Sequence, residues 1–209
     1  MKNVKTHLCI FLLLMIFLSS CSNSKDDNLT LQPDSVKGND AYLRSLTPNS
    51  NYGTHPDFTS EAVTNAGNYV AVRCIIDFDL SSIPSTAVIT DAKLYLYTYN
   101  SPATGKHTGT NLSYLQRITS SWDEMSVTWD TAPATTILHQ ATLPTSTSDY
   151  ENYVVNVKDL VQDYVADKAH SFGFMLRLAD ETIYKRMIFA SSDNTNIGIH
   201  PKLILNYHL

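Results

Sequence analysis

Residues 69–80 read YVAVRCIIDFDL, with Val70, Val72, Cys74, Ile76, Phe78 and Leu80 at alternate positions and Arg73, Asp77 and Asp79 between them. Successive side chains of an extended chain leave on opposite faces, so this spacing predicts a strand with one apolar face and one wet face. Residues 91–99, DAKLYLYTY, repeat the pattern. Ala92, Leu94 and Leu96 are expected to point inward, and Lys93, Tyr95, Tyr97 and Tyr99 outward. Further strands are expected at 40–44, 112–118, 126–129, 152–157, 172–179, 186–191 and 202–207, separated by turn-rich stretches such as TPNSNYGTHP and SPATGKHTGT. Only VKDLVQDYVADK breaks the rhythm: its Leu160, Val161, Tyr164 and Val165 recur at helical intervals and predict one short helix capping an end of the fold. Many short strands without a strand-helix-strand alternation predict an all-β, antiparallel sandwich in a single domain at 34–209. Residues 48–68 are expected to form a loop long enough to be functional.

The N-terminus makes a different statement. Lys2 and Lys5 precede eleven apolar residues at 8–18, followed by Ser19, Ser20 and Cys21. A membrane-crossing helix needs about 20 apolar residues, so residues 1–20 read as an export signal peptide. The small residues before Cys21 resemble a bacterial lipobox, which implies lipidation at Cys21 and membrane attachment through the lipid alone. Residues 21–33 are expected to be a polar tether. Its Lys25, Asp26 and Asp27 resemble the short acidic signal that carries certain lipoproteins to the outer face of the outer membrane, and they also suit an ordinary solvated linker. The expected location is therefore the outer membrane, exposed at the cell surface. With Cys9 in the signal and Cys21 lipidated, Cys74 has no partner for a disulfide. The net charge of −5, with Lys and Arg scattered singly, makes nucleic acid an unsuitable partner.

A catalytic constellation is hard to assemble from these residues. The histidines stand singly, without the spacing of a zinc site, and there is no GxSxG elbow or phosphate-binding glycine loop. Asp77 and Asp79 share a strand face about 7 Å apart. Catalysis by the pair is a minority reading, and turn capping or pairing with Arg73 is the stronger one. No cofactor is expected, apart from a structural calcium for which Asp34, Asn39 and Asp40 offer oxygen donors ahead of the first strand.

Read in order, DAYLR with NYG, IIDFDLSSIP, DAKLYLY, LQRITSSWDEMSVTWDTAP, VVNVKDLVQDYV, GFMLRL, IFASSD and HPKLILNY resemble the DNRLRE domain family, related to disaggregatase-type repeats and to carbohydrate-binding module family 96. The resemblance spans nearly the whole chain after the tether. It implies a jelly-roll β-sandwich used as an extracellular module, with binding to acidic polysaccharide. Modules of this family usually stand beside a catalytic domain or in tandem, whereas a single copy is present here. The same resemblance makes Trp122 and Trp129 scaffold residues. Alternation in SVTW puts Trp129 with Val127 on a core face, and Trp122 at a partly buried corner.

The expected function is a non-catalytic, lipid-anchored glycan-binding module, and the alternative is a structural or adhesive surface domain that binds another protein. The candidate ligand contacts are Lys93, Tyr95, Tyr97 and Tyr99 on the wet face of one strand, with Arg73 and Arg177 as cationic partners for uronate or sulfate groups.

Overall fold

The computed structural model describes residues 26–98 and 105–209. The expected signal peptide at 1–20, the expected lipidation site Cys21, and Tyr99 lie outside the described residues. Among the described residues, eleven strands and one α-helix follow in the order β1 (Asp27–Leu31), β2 (Asp40–Arg44), β3 (Asp57–Asn65), β4 (Asn68–Ile76), β5 (Val88–Leu96), β6 (Ser113–Ile118), β7 (Thr135–Leu143), β8 (Tyr153–Asn156), α1 (Lys158–Ala166), β9 (Phe174–Leu178), β10 (Lys185–Ala190) and β11 (Lys202–His208). All pairings are antiparallel. One sheet runs β1-β11-β5-β8 and the other β10-β3-β4-β9-β6-β7, with β2 also pairing with β4. The expected all-β sandwich with one short helix is the fold observed.

The main core lies between the two sheets. Cys74 and Ile76 of β4, Leu94 and Leu96 of β5, Phe174 and Leu176 of β9, and Leu203 and Leu205 of β11 all face it. Leu160, Val161, Tyr164 and Val165 of α1 close one end, as their spacing predicts. Cys74 is fully buried, and burial pushes its thiol up.

A second, smaller core explains why β4 is buried on both faces. On the outer side of the larger sheet, Ala41, Leu43, Ile75, Ile118 and Met175 are covered by Val127, with Trp122, Trp129, Ala132 and Phe172 packed against them. The covering segment, residues 119–134, is not a strand at 126–129. Asp123 O instead accepts from Ser126 N (3.2 Å) and Val127 N (2.8 Å), and the hydroxyls of Thr128 and Thr131 bond across a turn. Such local polar contacts compete with a strand ladder. Both tryptophans are half-buried: Trp129 caps the small core without belonging to a strand, and Trp122 Nε1 donates to Phe172 O at 2.7 Å.

Two family-like motifs turn out to be one unit. Asn51 of NYG donates to Glu124 O (2.7 Å) and Val127 O (2.8 Å), clamping the tryptophan loop from below. Gly53 lies so close to it that a Cβ would sit 2.2 Å from Glu124 O, which only glycine avoids.

Three boundaries differ from expectation. Residues 48–68 are not one loop, because 57–65 form β3. Its inward Ser60, hydrogen-bonded to Ser113 Oγ at 2.7 Å, hides the apolar period that would announce a strand. The expected tether at 21–33 contributes β1, whose residues 27–31 pair with β11 and extend the smaller sheet. Strand β7, an edge strand with several exposed side chains, lacks the apolar period altogether.

Candidate functional site

The outer face of the four-stranded sheet remains accessible. Register places Lys202 of β11 beside Tyr95 of β5, and Tyr95 beside Val154 of β8. The next outward row reads Thr30, Ile204, Lys93 and Asn156 across β1, β11, β5 and β8. Inward neighbours such as Leu94, Leu203 and Val155 anchor this sheet in the core, so its outward side chains stand on a rigid support.

The rings of Tyr95 and Tyr97 are stacked, with centroids 6.5 Å apart and an interplanar angle of 18°. The Lys202 ammonium sits 5.0 Å from the Tyr95 centroid and 5.7 Å from that of Tyr97. That range is favourable for a cation over an aromatic face. Among the described residues Lys202 forms no ion pair, whereas Lys93 reaches Asp91 at 3.2 Å. Val154, 58% exposed, adds an apolar flank. Two ring faces, an unpaired ammonium and a rim of Asn156 and Thr30 can stack on a sugar ring and hydrogen-bond its substituents.

Of the expected contacts, Lys93, Tyr95 and Tyr97 share this face, and Tyr99 lies outside the described residues. Arg73 and Arg177 are elsewhere. Both project from the outer face of the larger sheet, on the far side of the sandwich, because they alternate with Cys74 and Leu176, which face the core. Glu181 holds Arg73 through Nε (2.8 Å) and Nη2 (2.9 Å), and lies 3.6 Å from Arg177 Nη2. The Arg73 guanidinium also sits 4.8 Å from the Trp129 ring centroid, so its role is to pin the tryptophan loop. Lys202 was the residue missing from the expected set. Alternation in KLILNY puts it on a polar face, but only the β5–β11 register brings it to the tyrosines.

The remaining candidates have structural occupations. The Ser81 hydroxyl, together with Ser81 N at 2.9 Å from Oδ1, caps a turn at Asp79 and draws its carboxyl below the ordinary value. Asp77 Oδ1 accepts from Phe78 N (2.8 Å), and burial pushes its pKa up to about 6. Asp34 Oδ1 accepts from Val36 N and Lys37 N, Asn39 O from Asp77 N, and Asp40 Oδ2 from Ser192 N. Among the described residues no three His, Cys, Asp or Glu side chains are grouped to hold a metal ion.

The family model described as carbohydrate-binding module family 96 matches residues 33–207. No curated protein matches the chain.

Proposed function

Because the chain belongs to carbohydrate-binding module family 96, we propose that it acts as a non-catalytic, lipid-anchored glycan-binding protein at the cell surface. Its open tyrosine face would be the binding platform and acidic polysaccharide the ligand. The observation that carries this reading is the Lys202 ammonium lying over the stacked Tyr95 and Tyr97 rings, with no carboxylate pairing it among the described residues. Rings stack on the apolar face of a pyranose, and an unpaired ammonium attracts uronate or sulfate. Membrane anchoring rests on the lipobox-like stretch ending at Cys21.

The test is affinity electrophoresis of the purified protein in gels cast with acidic or neutral polysaccharides. Tyr97→Ala is expected to weaken binding by about 1 kcal/mol with little change in melting temperature, since the ring lies outside the main core. Lys202→Met keeps the stem and loses the charge, so it should remove the preference for acidic polymers. A Tyr97→Ala variant that melts markedly lower yet binds as the parent does would mean that the face is packed rather than displayed. Silence across both polymer classes would overturn the reading.

A second reading has one observation in its favour. Edge strand β7 exposes adjacent apolar side chains, Ile137 at 76% and Leu138 at 52%. Edge strands of this kind are natural contact sites for another protein. Recovery of a specific cross-linked protein complex from intact cells, lost in an Ile137→Lys variant, would support it.

A further inference from the structure

Beside β1, the edge strand of the open sheet, lies a cleft of about 480 Å³ lined by Thr30, Leu31, Gln32, Lys37, Asp77 and Asp79. Past Lys37, Asp77, Phe78 and Asp79, which line both, it adjoins a second hollow of about 330 Å³ that reaches Tyr164 and Lys168. Concavities of this size, with a few convergent polar groups and apolar walls, are the usual form of a small-ligand site.

The polar groups here are specific in kind. Asp79 is held by the hydroxyl and the backbone N–H of Ser81, while the second oxygen of Asp77 faces the Tyr164 hydroxyl at 3.4 Å. Lys37 forms no ion pair among the described residues, and Lys168 is held by the carbonyls of Ser81 and Ile83. Two carboxylates accept hydrogen bonds from neighbouring sugar hydroxyls, and one ammonium donates to a hydroxyl or ring oxygen. A uronate in the same place would meet Asp77 and Asp79 as like charges. The chemistry therefore favours a neutral, hydroxyl-rich sugar, the opposite preference to that of the tyrosine face.

The two places are also neighbours. Thr30, a wall of the cleft, stands in the same outward row as Ile204 and Lys93, two residue pairs from Lys202 and Tyr95. Strands in a sheet are about 4.8 Å apart, so β1 lies about 10 Å from β5.

We propose that this cleft is a second saccharide subsite continuing the tyrosine face over the edge of β1, and that the ligand is a heteropolysaccharide carrying both acidic and neutral residues. The inference rests on the tyrosine face being a glycan platform. It adds the neutral subsite and the mixed character of the polymer.

Calorimetric binding of the full protein to two polymers separates the two ideas: polygalacturonate, built of uronate alone, and xanthan, which contains both uronate and neutral hexoses. Lys37→Ala and Asp79→Asn are expected to weaken xanthan binding about fivefold and to leave polygalacturonate binding unchanged, while Tyr97→Ala weakens both. Melting temperatures of all three variants check that they fold. If the cleft variants bind xanthan as the parent does, or weaken both polymers equally, the subsite is overturned and the platform stands. If Tyr97→Ala changes neither polymer while the cleft variants weaken xanthan, the platform fails, and with it the continuous mixed-polymer site, leaving the cleft as a separate sugar site. Absence of binding to both polymers overturns the two together.

Discussion

Phe174→Ala is expected to lower stability by about 3–5 kcal/mol, the usual cost of truncating a large aromatic in a core. Phe174 is 1% exposed and points from β9 into the space between the sheets, opposite Ile76 of β4. Its ring lies 6.2 Å from that of Tyr164 on α1, so the loss also removes the support on which the helix rests. Because Tyr164 lines the hollow beside Asp77, the variant should disturb that region as well as the core. Urea unfolding of parent and variant measures the difference through the midpoint, with the slope unchanged if the compactness of both states is preserved. Trp129→Ala should cost about half as much, since the ring is only half-buried over the small outer core and part of its contact is with Arg73. A larger loss from Trp129 than from Phe174 would show that the outer core, not the inner one, dominates stability.

How much of this arrangement the sequence discloses depends on whether a strand has two unlike faces. β5 alternates in burial from Ala92 to Leu96 because one side is core and the other stays accessible, so its sequence alternation predicts both faces. β4 does not obey the same rule. Ala71 and Ile75, on what reads as the wet side, are 1% and 0% exposed: the tryptophan loop lies over Ile75, and Ala71 is bonded to Ser45 just past β2. A covering loop is a tertiary event with no period of its own. The same loop looked like a strand at 126–129 only because Val127 and Trp129 are apolar at alternate positions. Its turn is fixed by backbone contacts with Asp123 and by the side chain of Asn51, far away in sequence.

β3 fails in the opposite direction. Thr59, Ser60 and Glu61 are buried because each has a specific partner: Met187 O for Thr59 Oγ1, Ser113 for Ser60 and Arg186 for Glu61. A buried polar side chain with its partner satisfied costs little, yet it erases the apolar pattern on which recognition depends. The candidate site shows the same limit. Membership of one strand found Lys93, Tyr95 and Tyr97, but placing Lys202 requires the β5–β11 register, and excluding Arg73 and Arg177 requires knowing that β4 and β9 belong to the other sheet.

Asp40 offers the largest effect of the opposite sign. Its carboxyl is 2% exposed, and burial, reinforced by the charges of Asp193 and Glu124, pushes its pKa from 3.8 up to about 7. The folded protein therefore keeps a proton that the unfolded chain releases at a lower pH. Stability is greatest in acid and falls as pH rises from about 4 to about 7, where the folded state must finally ionise. Asp77, raised to about 6 mainly by burial, adds to the same trend over a narrower window. Asp40→Asn removes the ionisation and keeps an oxygen for Ser192 N, which now bonds the carboxylate at 2.9 Å. A displacement of this size corresponds to about 4 kcal/mol. The raised value already includes the hydrogen bonds from Ser192 to the carboxylate, so the expected gain is about 4 kcal/mol at pH 8 and almost none at pH 4. Melting temperatures across that range should show the parent falling and the variant falling less. Asp79→Asn, on an exposed carboxyl held below its ordinary value by Ser81, should lack this gain. An Asp40→Asn variant less stable than the parent at pH 8 would mean that a cation neutralises Asp40 in the folded protein.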